Sequence, residues 1–283
     1  MNAAITESDI INYYEQCQVD YEIVWHLNSQ MCMHYGYWDK TTSNLRSALR
    51  NMNLKLAALA EIKPGDRILD AGCGVGGSSF FFAKNYDCKT EGITLSNQQV
   101  NYAKEKARKL GLEHKVNFSV NNYLDTKFPD NYFDVVCAIE SVCHANEKDS
   151  FLKEAFRILK KGGRLVVADF FSNSPEYSHD QNSWLQKWAS SWAVPFFECL
   201  DTFEQKAVEN GFSHVNSINI TPHILPTVKR LYYCFIPGII CDSFLRVFGK
   251  RTNLNKVNVW STFYQYKSFK ANMWSYNFIK AIK

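Results

Sequence analysis

The sequence predicts an α/β fold: a doubly wound, mostly parallel sheet of seven strands carrying an N-terminal helical cap and a helical lid insertion. Three observations carry this. An apolar run, Ile68-Leu69, ends at Asp70 and turns through Gly72, Gly74, Gly76 and Gly77 into the helix-like Phe80-Phe81-Phe82-Ala83. From there to Phe170, short β-branched runs alternate with helical stretches, as buried parallel strands joined by crossovers do. Beyond Phe171 the alternation breaks.

Composition narrows the class. The 283 residues suffice for one sizeable core with additions, and 46% apolar against 21% charged residues is the balance of a globular protein. A net charge of +4, with no block of like charge, gives no case for a nucleic-acid partner. Nine Cys form no C-x-x-C pair, and Cys137, Cys143, Cys234 and Cys241 lie in apolar runs. Reduced thiols in a cytoplasmic protein are expected. The start, MNAAITESDI, has neither the basic residues nor the apolar core of a signal peptide. Leu231–Cys241 is uncharged but too short to span a bilayer and contains Pro237, so any membrane contact is expected to be peripheral. Oligomeric state is not legible.

Residues 1–60 are expected as the cap. Ile10, Ile11, Tyr14 and Cys17 recur at helical spacing, and Leu45, Leu49, Met52 and Leu56 mark one face of a second helix over about 43–60. Between them His34-Tyr35-Gly36-Tyr37-Trp38-Asp39 crowds aromatic rings around one Gly, as a loop closing over a flat or apolar ligand would; simple packing against the core explains the rings as well, and the same holds for Tyr13 and Tyr14. Residues 61–172 form the cofactor-binding core. After the glycine turn come a strand over 88–93, a helix over 97–110 capped by Ser96 and stopped by Gly111, and strands over 116–120 and 133–140. A helix over 148–159, the turn Lys160-Lys161-Gly162-Gly163 and a strand over 163–170 complete it. Residues 173–283 supply lid helices and final strands of the same domain: helices near Trp184–Trp192 and over 202–210, a strand over 215–220, helical pieces over 222–248 and a last strand over 275–282.

Glycines at a strand-to-helix turn let backbone approach a ligand, while the new helix offers unpaired N–H groups. A dinucleotide site reads G-x-G-x-x-G with a pyrophosphate over the helix start. This chain reads Asp70-x-Gly72-x-Gly74-x-Gly76 instead. Asp70 would repel phosphate and attract an ammonium group, such as the methionine end of S-adenosylmethionine. In doubly wound sheets ligands sit at the carboxyl ends of strands. The residues after each strand are accordingly polar: Thr94-Leu95-Ser96 with Gln99, Asn121-Asn122-Tyr123, and Glu140-Ser141-Val142-Cys143-His144.

HYGYWD, LDAGCGVGGSSFFFAKNY, EGITLSNQQ and FPDNYFDVV resemble the class I S-adenosylmethionine-dependent methyltransferases, in particular the gamma-tocopherol methyltransferase-like group, and the likeness runs over most of the chain. Ile139–Ala145 is similar to the sterol C-methyltransferase signature E-A-T-C-H-A. The resemblance implies a Rossmann-like methyltransferase fold with S-adenosylmethionine as cofactor, Asp70, Gly72 and Gly74 lying around its methionine and ribose. Thr94 stands where many class I enzymes carry a ribose-binding acid, so Thr94 and Gln99 inherit that role. Asn122 stands where an Asp usually meets the adenine amino group, and Leu95, Tyr123 and Tyr35 join the cofactor contacts.

Methyl transfer from a sulfonium is an in-line displacement that asks for positioning and exclusion of water, with no metal-ligand cluster required. Glu140 and His144 are the candidate bases. A carbon–carbon double bond attacking the methyl leaves a carbocation that rings such as Tyr14, Tyr35 or Trp38 would stabilise; a phenol or amine needs one general base. Tyr13, His34, Trp38, Trp188, Trp192 and Phe196 are the expected contacts of a small hydrophobic acceptor. C-methylation of an isoprenoid is the favoured outcome, with O- or N-methylation of a tocopherol-like phenol or amine as the alternative and a non-catalytic lipid-binding protein as a third. For a diphosphate-bearing acceptor, Lys229, Arg230, Arg246, Lys250 and Arg251 are the available cations.

Overall fold

The computed structural model describes residues 5–25, 31–249 and 251–283; of the expected cations, Lys250 lies outside them. Helix α1 (Glu7–Val24) begins at a capping box in which Thr6 and Asp9 satisfy each other's backbone N–H groups. Asn44 and Ser47 start α2 (Leu45–Leu59) in the same way, and it buries the predicted stripe of Leu45, Leu49, Met52 and Leu56.

The sheet follows: β1 (Arg67–Ala71), α3 (Gly77–Tyr86), β2 (Lys89–Thr94), α4 (Asn97–Leu110), β3 (Val116–Val120), β4 (Phe133–Ile139), α5 (Lys148–Ile158) and β5 (Leu159–Ser172). Helices α6 (His179–Ser191) and α7 (Leu200–Glu209) lead to β6 (Ser213–Asn219). The helices α8 (Thr221–Tyr233), α9 (Phe235–Val247) and α10 (Asn253–Lys270) then precede β7 (Trp274–Ile282). Strand order is β3-β2-β1-β4-β5-β7-β6, parallel from β3 to β5, with β7 antiparallel to both neighbours. The chain reverses its direction of winding between β1 and β4, so the crevice beyond Ala71 and Ile139 is where a ligand site belongs.

Alternate strand residues feed two apolar layers. Val135, Val166 and Phe278 face α2 and the lid with Met52 and Trp188, while Val136, Val167 and Ile279 face α5 and α7 with Phe151 and Phe203. Full burial of such side chains stabilises by roughly 1.5–3 kcal/mol each before conformational entropy is set against it.

Two departures matter. Strand β5 begins four residues before the predicted Gly163, because Leu159 pairs with Phe133 ahead of a register shift that absorbs the Lys160–Gly163 turn. Helix α10 was unforeseen: its Asn, Ser, Thr and Tyr content shows no clean apolar stripe. It is fixed by the Thr252–Asn255 capping box and by packing against α6.

Candidate active site

Two cavities meet at the carboxyl end of β1 and β4. The first follows the glycine turn; the second, the larger of the two, lies under the lid. Both are lined by Tyr14, Met33, Glu140 and His144, which form the neck between them.

The glycine turn is shaped for close approach. Gly72 has φ +85°, and a Cβ there would fall 2.4 Å from Ser141 Cβ, so no other residue fits. Gly74 sits under Met33, whose Cε would be 2.6 Å from an added Cβ. Thus Met31, Cys32 and Met33 close over the turn. Asp70 is buried, takes the Ser79 hydroxyl at 2.6 Å, and is pushed up to about 6 by burial. Among the described residues no cation pairs with it. Across the cavity, Thr94 Oγ1 donates to Gln99 Oε1 at 2.6 Å, which leaves the Gln99 amide N–H groups for a ligand.

The cavity is lined by Asp70, Gly72, Gly74, Thr94, Leu95, Gln99 and Tyr123, where the sequence put cofactor contacts. Asn122 and Tyr35 do not line it. For Asn122 the reason is local. Its amide bonds Glu7 and the Leu124 N–H, while Asn121 lines the cavity and, with Nδ2 spent on the Thr126 carbonyl, keeps Oδ1 as an acceptor. His34, expected against the acceptor, also lines this first cavity and not the second. Its Nδ1 donates to the Tyr35 carbonyl, burial lowers its pKa to about 4, and Nε2 is buried without a partner, a lone pair that a ligand N–H or O–H would satisfy. A lone carboxylate, an orphaned imidazole nitrogen, a glycine cradle and the Gln99 and Asn121 amides suit a ligand with an ammonium group, hydroxyls and an amino-bearing base, as S-adenosylmethionine has.

Glu140 follows β4 at φ +50°, a left-handed conformation that a non-glycine residue holds only where its surroundings impose it. Its N–H extends the sheet to the Ala168 carbonyl. Its Oε1 accepts from the Tyr35 N–H at 2.6 Å and the Tyr276 hydroxyl at 2.8 Å, so Oε2 is the oxygen left for what enters the neck. Burial pushes this carboxyl well above the usual range. His144 lies on a one-turn 3₁₀ segment, Val142–His144. Its Nδ1 meets the Ala193 carbonyl at 3.1 Å and must carry the hydrogen, so Nε2 accepts from the Tyr14 hydroxyl at 2.9 Å. Burial lowers the imidazole to about 4, leaving it neutral at pH 7. Lys148 fixes this loop by donating to the carbonyls of Cys143, Ala145 and Phe196, and Asp169 accepts from the Cys143 N–H.

The second cavity is lined by Tyr13 and Trp192, both expected as acceptor contacts, together with Tyr35, which was expected at the cofactor and does not line the first cavity. Besides His34, three expected acceptor contacts lie outside the second cavity. Trp38 Nε1 donates to Thr227 on α8, Trp188 is fully buried against Phe170 and Trp274, and Phe196 lies exposed under the Lys148 ammonium, 3.8 Å from ring centroid to Nζ. Tyr21, Trp25 and Phe170 take their place. Tyr21 continues the Tyr14–Cys17 spacing of α1 and was findable; the α9 and α10 residues facing the cavity were not. Arg251 is the only Lys or Arg among the described lining residues, and it is held by Asp20 and Asp242.

The family described as mycolic acid cyclopropane synthetase matches residues 6–235. The chain is 36% identical to 27-O-demethylrifamycin SV methyltransferase of Amycolatopsis mediterranei over 49% of its own length and 51% of the relative's, so it spans about half of that protein. To 2-methyl-6-phytyl-1,4-hydroquinone methyltransferase of Synechocystis sp. it is 28% identical over 83% of this chain and 74% of the relative. Among solved structures, geranyl diphosphate C-methyltransferase from Streptomyces coelicolor superposes with a TM-score of 0.73 at 20% identity, covering 100% of this chain and 99% of that one, a likeness of fold.

Proposed function

Because the chain belongs to the mycolic acid cyclopropane synthetase family of S-adenosylmethionine-dependent methyltransferases, we propose that it methylates an uncharged, largely apolar acceptor, favouring carbon of an isoprenoid double bond. One observation carries the reading: an aromatic chamber opens onto the cofactor cleft through a neck holding a buried carboxyl with no cationic partner among the described residues. Bound there, S-adenosylmethionine supplies a methyl group on a positively charged sulfur, the counter-charge that Glu140 lacks.

Burial favours the protonated form of Glu140, and positive charge in the neck favours its ionised form. Methylation of a double bond leaves a cation on the acceptor; the Tyr14, Tyr21, Tyr35 and Trp192 rings stabilise it by roughly 0.5–2 kcal/mol each, and Glu140 Oε2 takes the proton that restores neutrality. The lid excludes water that would otherwise capture the cation. A free diphosphate is disfavoured, since the cavity's Arg251 is already neutralised by two carboxylates.

The Tyr14–His144 pair favours a second reading, O- or N-methylation, in which Tyr14 passes the acceptor's proton to His144 Nε2. Incubating the protein and donor with isoprenoid alcohols, prenylated hydroquinones, sterols and simple phenols, followed by NMR of the product, separates the two. A new carbon-bound methyl is expected. Methyl on oxygen or nitrogen alone supports the second reading, and no transfer by protein that binds S-adenosylhomocysteine overturns both.

A further inference from the structure

Helix α9 has two apolar faces with different surroundings. Pro237, Gly238, Cys241 and Leu245 line the acceptor cavity. On the outside, Ile236, Ile240, Phe244 and Phe248 follow at four-residue spacing, joined by Val247, and these five side chains are 61–82% exposed. So continuous an apolar stripe on a water-soluble surface marks an interaction site. Its charge surroundings are one-sided. Between residues 221 and 249 the only carboxylate is Asp242, which is 4% exposed and bound to Arg246 and Arg251, whereas Lys229 stands exposed on α8. Helices α8 and α9 together have the length and apolarity of a membrane segment but are bent by 41°, and no single described helix is long and apolar enough to cross a bilayer.

We propose that the outer face of α9 seats the protein on an anionic phospholipid bilayer. The helix lies in the interface with its stripe in the acyl boundary, cations toward the headgroups and the acceptor cavity directly behind it. Membrane-dissolved acceptors then reach the chamber without crossing water. This last step rests on the apolar-acceptor reading above; the docking itself does not.

The test is co-sedimentation of the full chain with vesicles of phosphatidylcholine and phosphatidylglycerol in roughly equal parts, against phosphatidylcholine alone. Pelleting with the mixed vesicles, weakened by salt, is expected. The double substitution Ile240→Glu, Phe244→Glu should cut the bound fraction about tenfold or more, with binding of S-adenosylhomocysteine unchanged. Should that variant fail to fold, Val247→Glu at the exposed helix end replaces it. Wild-type protein that stays in the supernatant, or variants that pellet equally, overturn the proposal. So does a wild-type dimer in light scattering that the same substitutions dissociate, which would make the face an interface between copies. Vesicle binding without turnover of any apolar acceptor would leave the docking standing and remove the functional reading, and turnover without vesicle binding the reverse.

Discussion

Glu140→Gln separates the chemistry of the neck from its architecture. The amide oxygen can still accept from the Tyr35 N–H and the Tyr276 hydroxyl, now 2.6 and 2.8 Å from Oε1, so the strained turn and both cavities should persist. What is lost is a group able to carry negative charge and take a proton. Removal of a positioned base costs about 10²–10⁴ in rate, or roughly 3–5 kcal/mol of barrier. Stability should move the other way. A carboxyl whose pKa is raised on folding stabilises most below its unfolded value of 4.5, and that contribution is lost as pH rises through the folded value. The neutral amide has no such loss, so the variant should gain on the wild type as pH is raised. Methyl-transfer rates, calorimetry with S-adenosylhomocysteine and melting curves at several pH values read the three effects. Turnover within about threefold of wild type, or a variant that loses ground with rising pH, would refute the reasoning.

Tyr14→Phe keeps the ring and deletes the hydroxyl that His144 Nε2 accepts. On carbon methylation turnover should fall by less than about tenfold, whereas a drop of about a hundredfold or more would mean that the hydroxyl relays a proton. Gly72→Ala places a methyl 2.4 Å from Ser141 Cβ at φ +85°, so cofactor affinity by calorimetry and melting temperature should both fall, with strain of about 1–3 kcal/mol. His144 titrates at 6.5 unfolded but about 4 folded, so the unfolded chain takes up its proton first and stability is lost as pH drops through that window, by about 3 kcal/mol. His144→Asn should lack this share. Asp70 and Asp169, raised to about 6, work in the opposite direction there, so the difference between variant and wild type is the quantity to measure.

Much of the site was legible because it is built from local signals. The Asp70-x-Gly72-x-Gly74 turn, the Thr94–Gln99 pair and the Glu140–His144 segment each lie within a few residues of one strand end. Such loops keep their role when the sheet forms. Asn121 and Asn122 show the limit: adjacent residues point to opposite sides, and spacing does not say which faces the ligand. Trp38, Trp188 and Phe196 show another, since an aromatic residue in the right segment packs into the core or onto the surface as readily as into a pocket.

Pattern by itself determined the doubly wound, mostly parallel sheet, and the glycine turn together with the family resemblance indicated the kind of cofactor, because strand alternation and glycine spacing are properties of neighbours in the chain. Only the folded chain decided what confronts that cofactor. The hydroxyl that fixes Glu140 comes from Tyr276 on the last strand, the carbonyl that sets the His144 tautomer from Ala193, and the chamber walls from α1, α9 and α10. These partners are brought together by packing over long sequence separations, which leave no periodic trace.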